Sequence, residues 1–261
     1  YLAGAVPGQG GKLAAAMVAE PLKAYIVLHA EPLLDMDNGA QAVVALKSAE
    51  FVVALTAFAS DASEWADVML PIAPFTETSG TFVNAQGTAQ SFKGTVVPRG
   101  QTRPGWKVLR VLGNVLHLAG FDDETSESVR DAVLSGGVSN RLSNQINAAV
   151  TAVNAGHNAA GTLQRVTDVP IYRSDALVRR APALQESGAS RAPAARMHAQ
   201  TLSGLGCTAG ASVRVKSSTG STTLVAVEDN TLPLGAVRIA AGFAQTASLG
   251  SAFGQLQVER A

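Results

Sequence analysis

The chain has 261 residues, 47% apolar and 15% charged, with 20 basic and 20 acidic side chains. That composition supports one large or two ordinary domains with a sizeable core and excludes a wholly disordered chain. Balanced charge gives no signature of nucleic-acid binding, and no apolar run approaches the roughly 20 residues that span a bilayer. The single cysteine, Cys207, excludes an internal disulfide and the roughly four thiolates that hold a Fe–S cluster.

The first residues, "YLAGAVPGQGGK", lack the basic and long apolar parts of a signal peptide. A start at Tyr1 instead of Met suggests a fragment or a trimmed product. Within it, Gly4 to Gly11 has the look of a phosphate-cradling loop opening the helix "KLAAAMVAE". It lacks the Lys-Ser/Thr of a P-loop, so a flexible turn feeding a helix is the other reading. Three short apolar runs follow: Ala24 to His29, Phe51 to Ala57 and Asp67 to Ile72. Such runs read as strands of a parallel sheet covered on both faces. The segment "DNGAQAVVALKSAE" fits a helix of about three turns between the first two. "SDASEWA" fits a short helix with Ser60 as its cap. Right-handed crossovers then follow.

Leu70-Pro71 closes the third strand at the carboxyl edge of the sheet, where ligands of open α/β sheets gather. Beyond it, Glu77, Thr78 and Ser79 offer hydrogen bonds, either to a ligand or to the loop's own backbone. "TFVNAQGTAQ" reads as a hairpin, with Asn84 opening a type I turn, Gly87 in the left-handed position and Phe82 packed inward. "QTRPGWKVLRVLGNVLHLAGF" is an amphipathic helix. Pro104 suits its first turn, Trp106, Leu109, Leu112 and Leu116 form its apolar face, and Gly120 is its stop.

"DDETSESVRDAVL" predicts an acid-started helix, and "NRLSNQINAAVTAVNAGHNAAG" a connector with weak periodicity. "QESGASRAPAARMHAQ" reads as a mobile loop. From Ala211 the pattern alternates with period two, with turns at "SSTG", "EDN" and "PLG" and a last strand in "FGQLQVERA". This predicts a small barrel. Residues 176–261 carry eight Arg/Lys against four Asp/Glu, a bias that suits either a solvated surface or an anionic ligand. Cys207 reads as a buried structural thiol. His29, His117, His157 and His198 lie in four segments without metal-ligand spacing, and only His29 is near the ligand edge. No G-x-S-x-G elbow or H-E-x-x-H helix is present.

"ADVMLPIAPFTETSGTFVNAQGTAQSFKG" resembles the signature of the molybdopterin oxidoreductase superfamily. The stretches "RPGWKVLRVLGNVLHLAGF", "EPLKAYIVLHAEPLLD" and "IYRSDALVRRAPALQ" narrow the resemblance. They point to the large iron–sulfur subunit, the 75-kDa type, of bacterial respiratory complex I, the NADH:quinone oxidoreductase. The likeness is weakest from about Ser135 to Leu163. It implies an α/β fold: a Rossmann-like parallel-sheet domain over 1–121, a helical connector over 122–175, and a C-terminal double-psi β-barrel over 176–261. It also implies a scaffold role beside Fe–S electron transfer from NADH towards quinone. The 4Fe-4S and 2Fe-2S clusters would sit in an N-terminal part outside this chain, and no cofactor would sit in the chain itself. Partners would be other peripheral-arm subunits, on the cytoplasmic side of the membrane, without nucleic acid or membrane insertion.

The alternative is a formate-dehydrogenase-type molybdoenzyme, in which Glu77, Thr78, Ser79, Gly80 and Asn84 would line a pterin dinucleotide. In the complex I branch those five residues are a vestigial edge. One departure stands out. The family's Glu-Gly-Arg in the hairpin is Gln86-Gly87-Thr88 here, which removes an acid and a bidentate base. A free-standing adaptor module without redox links is a third reading.

Overall fold

The computed structural model describes residues 11–139 and 161–261, with Ser60 described by its backbone alone. In chain order the elements are α1 (Ala14–Ala19), β1 (Ala24–Leu28), α2 (Pro32–Asp35), α3 (Gly39–Lys47), β2 (Phe51–Thr56), α4 (Ala59–Ala62), β3 (Val68–Pro71), β4 (Gly80–Val83), β5 (Ala89–Phe92), α5 (Gly105–Val115) and α6 (Ser126–Val133). Then come β6 (Leu163–Val166), α7 (Ala176–Arg179), α8 (Pro182–Gln185), β7 (Ala195–Met197), α9 (Ala199–Gly204), β8 (Ser212–Lys216), β9 (Ser221–Glu228), β10 (Ala236–Arg238), α10 (Ala244–Ala247) and β11 (Gly254–Arg260). The chain divides into two compact units, residues 1–29 with 49–152, and residues 30–48 with 153–261.

The first unit is built on a parallel sheet of order β1-β2-β3. Ala24 pairs with Phe51 through to Leu28 with Leu55, and Val53 with Val68 through to Thr56 with Pro71. All three predicted strands are therefore present and parallel. Val52, Ala54 and Leu55 of β2 are almost fully buried, as the central strand of such a sheet requires. Pro71 has no N–H to donate and sits at the end of an edge strand, where that loss is tolerated. Arg103 continues the edge, bridging Ile72 in parallel and accepting from Ala73 N–H at 2.9 Å. That bridge fixes the start of α5 at the carboxyl end of the sheet.

α5 begins where Pro104 predicts, with Pro104 as N-cap. It stops before Gly120. Leu118 N–H bonds Gly113 O at 2.9 Å and His117 adopts φ 54, a Schellman closure with histidine in the left-handed position. Leu116 is consequently outside the helix and exposed. The buried positions of α5 are its glycines, Gly105 and Gly113. A Cβ on Gly113 would lie 2.2 Å from the ring of Phe121, so the chain folds back over a glycine and not over a leucine face. α4 starts at Ala59 with Phe58 as N-cap, which places Ser60 inside the helix and not at its cap. α6 is capped by Thr125, whose Oγ1 accepts from Ser128 N–H at 3.0 Å while Ser128 Oγ accepts from Thr125 N–H.

The second unit holds a closed six-stranded barrel of order β10-β6-β11-β8-β9-β7. Parallel pairs β6–β10 and β7–β9 interrupt the antiparallel pairs, giving the double-psi barrel that the alternation and the resemblance anticipate. Period-two burial places Val213 and Val215 of β8, Leu224 and Ala226 of β9, and Leu256 and Val258 of β11 inside. Two of the six strands lie upstream of the alternating region. β6 precedes residue 176. β7 falls within "QESGASRAPAARMHAQ", so that stretch is not a loop throughout: Ala195 and Met197 are fully buried. A three-residue strand is too short to show a period, which is why the sequence pattern misses it. Cys207 is buried in the barrel core, as expected of a structural thiol. The predicted features at Gly4 to Gly10 and in residues 140–160, His157 included, lie outside the described residues.

Candidate functional site at the carboxyl edge of the sheet

Beyond β3 the chain turns at Pro74, makes one tight turn over Phe75–Glu77, and enters the β4–β5 hairpin. Glu77 N–H bonds Pro74 O at 2.9 Å, and its Oε2 accepts from Arg99 N–H at 2.9 Å. Thr78 Oγ1 donates to Ser79 O at 3.2 Å. Ser126 donates its hydroxyl to Glu127 at 3.0 Å, so the 2.8 Å contact between Ser79 and Ser126 has Ser79 as donor. A relay Ser79–Ser126–Glu127–Lys93 results, closed by the 2.8 Å ion pair of Lys93 and Glu127.

Gly80 opens β4 opposite Phe92, and a Cβ there would meet the Phe92 ring at 2.8 Å. That ring stacks on Phe82, with centroids 5.3 Å apart and planes at 14°. Phe82 is 67% exposed, not packed inward: it stacks on its diagonal cross-strand neighbour at the rim of a recess shared with Trp106 and Val129. At the hairpin tip Asn84 Oδ1 accepts from Gln86 and Thr88 N–H at 3.0 and 2.9 Å, and Gly87 has φ 81. The expected turn chemistry is present in full.

Glu77, Thr78 and Ser79 share one cleft of about 560 Å³. Gly80 lines adjoining recesses beside the hairpin, and Asn84 lines none of them. The cleft brings in residues that sequence reasoning did not single out: Lys93, Arg103, Lys107, Glu124 and Glu127. Only the Arg-Pro-Gly-Trp start of α5 signalled any of them. Their charges cancel, with Glu77, Glu124 and Glu127 against Lys93, Arg103 and Lys107. Lys107 lies over the Trp106 ring at 5.3 Å.

The Lys93 ammonium, the Glu127 backbone N–H and the Ser126 hydroxyl pull the Glu127 carboxyl down to about 2 from its ordinary 4.5. A depressed carboxylate gives bonding that is complete above its ordinary pKa and lost as pH falls through the folded value. Glu127 should therefore stay ionised through pH 3. An NMR titration of its carboxyl carbon should give a midpoint near 2, and Lys93→Met should move it up.

At the end of β1, His29 has φ 53 and donates its N–H to Leu55 O at 3.0 Å. Burial holds its imidazole below the ordinary histidine range, so it is neutral at pH 7. It packs beside Gly105 at the start of α5, a structural position. His198 accepts from Gln200 N–H through Nδ1 and caps α9. Among the described residues no group of three or more His, Cys, Asp or Glu is placed to hold a metal ion, and no helix is long and apolar enough to cross a membrane.

Residues 3–115 match the family model of molybdopterin oxidoreductases. A protein of Streptomyces coelicolor, one of the subunits of its NADH-quinone oxidoreductase, is 37% identical over 93 residues, 36% of this chain and 11% of that protein. A nitrate reductase of Shewanella frigidimarina is 26% identical over 115 residues, 44% of this chain and 12% of that one. A putative formate dehydrogenase of Staphylococcus aureus is 33% identical over 78 residues, 30% and 8% of the two chains. The matches thus span about a tenth of the length of these relatives. Among solved structures, acetylene hydratase from Pelobacter acetylenicus shares the fold over 95% of this chain and 46% of its own, with a TM-score of 0.63 and 17% identity.

A pterin dinucleotide carries phosphates, and an anion wants free donors without competing carboxylates. The edge does not fit that demand. Three carboxylates offset the three cations that line the cleft, the Ser79 proton goes to Ser126, and Asn84 lies outside the cleft.

Proposed function

We propose that this chain, whose residues 3–115 carry a molybdopterin oxidoreductase family domain, is a scaffold portion of a redox enzyme and does no chemistry at its own sheet edge. The observation that carries this reading is the charge-balanced cleft in which Glu77, Thr78 and Ser79 are each bonded to other groups of the chain. Glu77 ties down Arg99, Thr78 ties down Ser79, and Ser79 joins the hairpin loop to α6. The first two bonds hold backbone groups and the third joins two side chains, and together they support an edge whose shape needs no prosthetic group.

The finer assignment is to the large iron–sulfur component of NADH:quinone oxidoreductase, supported by the likeness to the Streptomyces coelicolor protein. In that setting the Fe–S clusters would belong to other parts of the enzyme, and this chain would pack among peripheral-arm subunits on the cytoplasmic side. The second reading, a molybdoenzyme of the nitrate reductase or formate dehydrogenase kind, draws on the likeness to those relatives. It would require Glu77, Thr78, Ser79, Gly80 and Asn84 to release their present bonds.

Elemental analysis of the chain, purified from a host that makes the pterin cofactor, separates the two. Neither molybdenum nor iron should accompany it. Stoichiometric molybdenum would overturn the scaffold reading and favour the second.

A further inference from the structure

We infer that the recess bounded by Arg191, Arg196 and Arg238 on the barrel is a docking site for an acidic segment of a partner polypeptide. The inference stands on the second unit alone and does not depend on the reading of the sheet edge. The recess encloses about 480 Å³, room for a few side chains. Asp168 is the one carboxylate among its lining residues, against the three arginines.

The arginines are placed by the barrel itself. Ala195 and Met197 of β7 point into the core, so period-two alternation turns Arg196 outward. Directly across the antiparallel ladder its partner is Arg238. Like charges facing each other across a sheet destabilise it. Asp229 relieves one of the two, binding Arg238 at 3.0 Å and lying in the field of Arg196. Arg196 itself donates no side-chain hydrogen bond within the described residues, and neither does Arg191. The fold thus maintains an unfavourable juxtaposition with two guanidinium forks open. A planar fork matches a carboxylate with two parallel bonds.

The walls choose among anions. No aromatic ring lines the recess, so a nucleobase would find nothing to stack on. Val169 and Ile171, 53% and 67% exposed, flank Pro170 and give an aliphatic rim suited to an extended peptide with apolar residues between acids.

The probe is a fluorescein-labelled peptide of alternating Glu and Val, with alternating Gln and Val as control, read by fluorescence polarisation on the whole chain. The Glu-Val peptide should bind and the Gln-Val peptide should not. Arg191→Gln and Arg196→Gln should each weaken binding about tenfold, as expected for a lost charge-assisted bond. Arg260→Gln, the same charge change elsewhere on the barrel, should leave binding unaltered. Arg191 is exposed and outside any regular element, so its variant folds independently of the outcome. Equal binding of both peptides, no binding to the native chain, or full binding by Arg191→Gln would each overturn the proposal. So would displacement of the peptide by pyrophosphate at lower concentration than by unlabelled Glu-Val peptide, which would mark a phosphate site.

Discussion

Arg179→Ala is expected to destabilise the second unit by about 3–5 kcal/mol, the usual result of stranding one member of a buried ion group. Arg179 Nε donates to Glu31 Oε2 at 2.9 Å, Nη2 reaches Asp35 Oδ1 at 2.8 Å, and Nη1 donates to Arg173 O at 2.9 Å. Arg180 makes a second ion pair with Glu31. The Arg179 and Glu31 side chains are 4% and 6% exposed, so solvent cannot replace a lost partner. Removing both partners at once, as Glu31→Gln with Arg179→Met, should restore part of the loss, because neither fully buried charge remains, and Asp35 and Arg180, which lose a partner, are 26% and 30% exposed to solvent. Urea unfolding of the two variants measures it. Equal costs for the single and the double variant would contradict the account.

The same group sets a pH dependence. Burial pushes the Glu31 carboxyl up, but Arg180 and Arg179 outweigh it and hold the group below the usual carboxylate range. Its stabilisation is therefore complete above about pH 4.5 and lost as pH falls through the depressed folded value.

Gly39→Ala should be the other severe substitution. Gly39 starts α3 against α2, and a Cβ there would lie 2.0 Å from Leu33 O and 2.5 Å from its carbonyl carbon. These are backbone atoms, so no rotamer change makes room, and α2 must move away from α3. Overpacking of this kind costs roughly 3 kcal/mol, or about 6–12 °C in melting temperature for a unit of this size. Gly100→Ala is the control: an added Cβ there meets nothing within 4 Å, and only its positive φ opposes the substitution. It should lose only the smaller backbone term. A melting temperature for Gly39→Ala equal to that of Gly100→Ala would contradict the predicted clash.

The parallel sheet was legible because its strands are short apolar runs separated by helix-length segments, and because Pro71 and Pro104 mark real boundaries. The hairpin was legible through Asn84 and Gly87, whose turn chemistry is local. What stayed hidden depends on contacts between distant residues. β7 carries too few residues to show a period, and its burial comes from pairing with β9. Phe82 looks like a core residue until Phe92 is placed beside it. α5 ends at Val115, with His117 in the left-handed position, because Leu118 N–H closes back on Gly113 O, a hydrogen bond no propensity scale registers. In the cleft, Glu77, Thr78 and Ser79 were identifiable from position, but Lys93 and Glu127 are 34 residues apart and meet only in the fold. The ion group of Glu31 and Arg179 spans 148 residues and had no sequence signal.

An edge maintained by its own hydrogen bonds has to hold together with nothing bound to it. Oxidative release of pterin from the protein as isolated from its own organism, read by fluorescence, asks this directly. No pterin above the blank is the expected result. About one pterin per chain would contradict the account, which gives this edge no prosthetic group to hold.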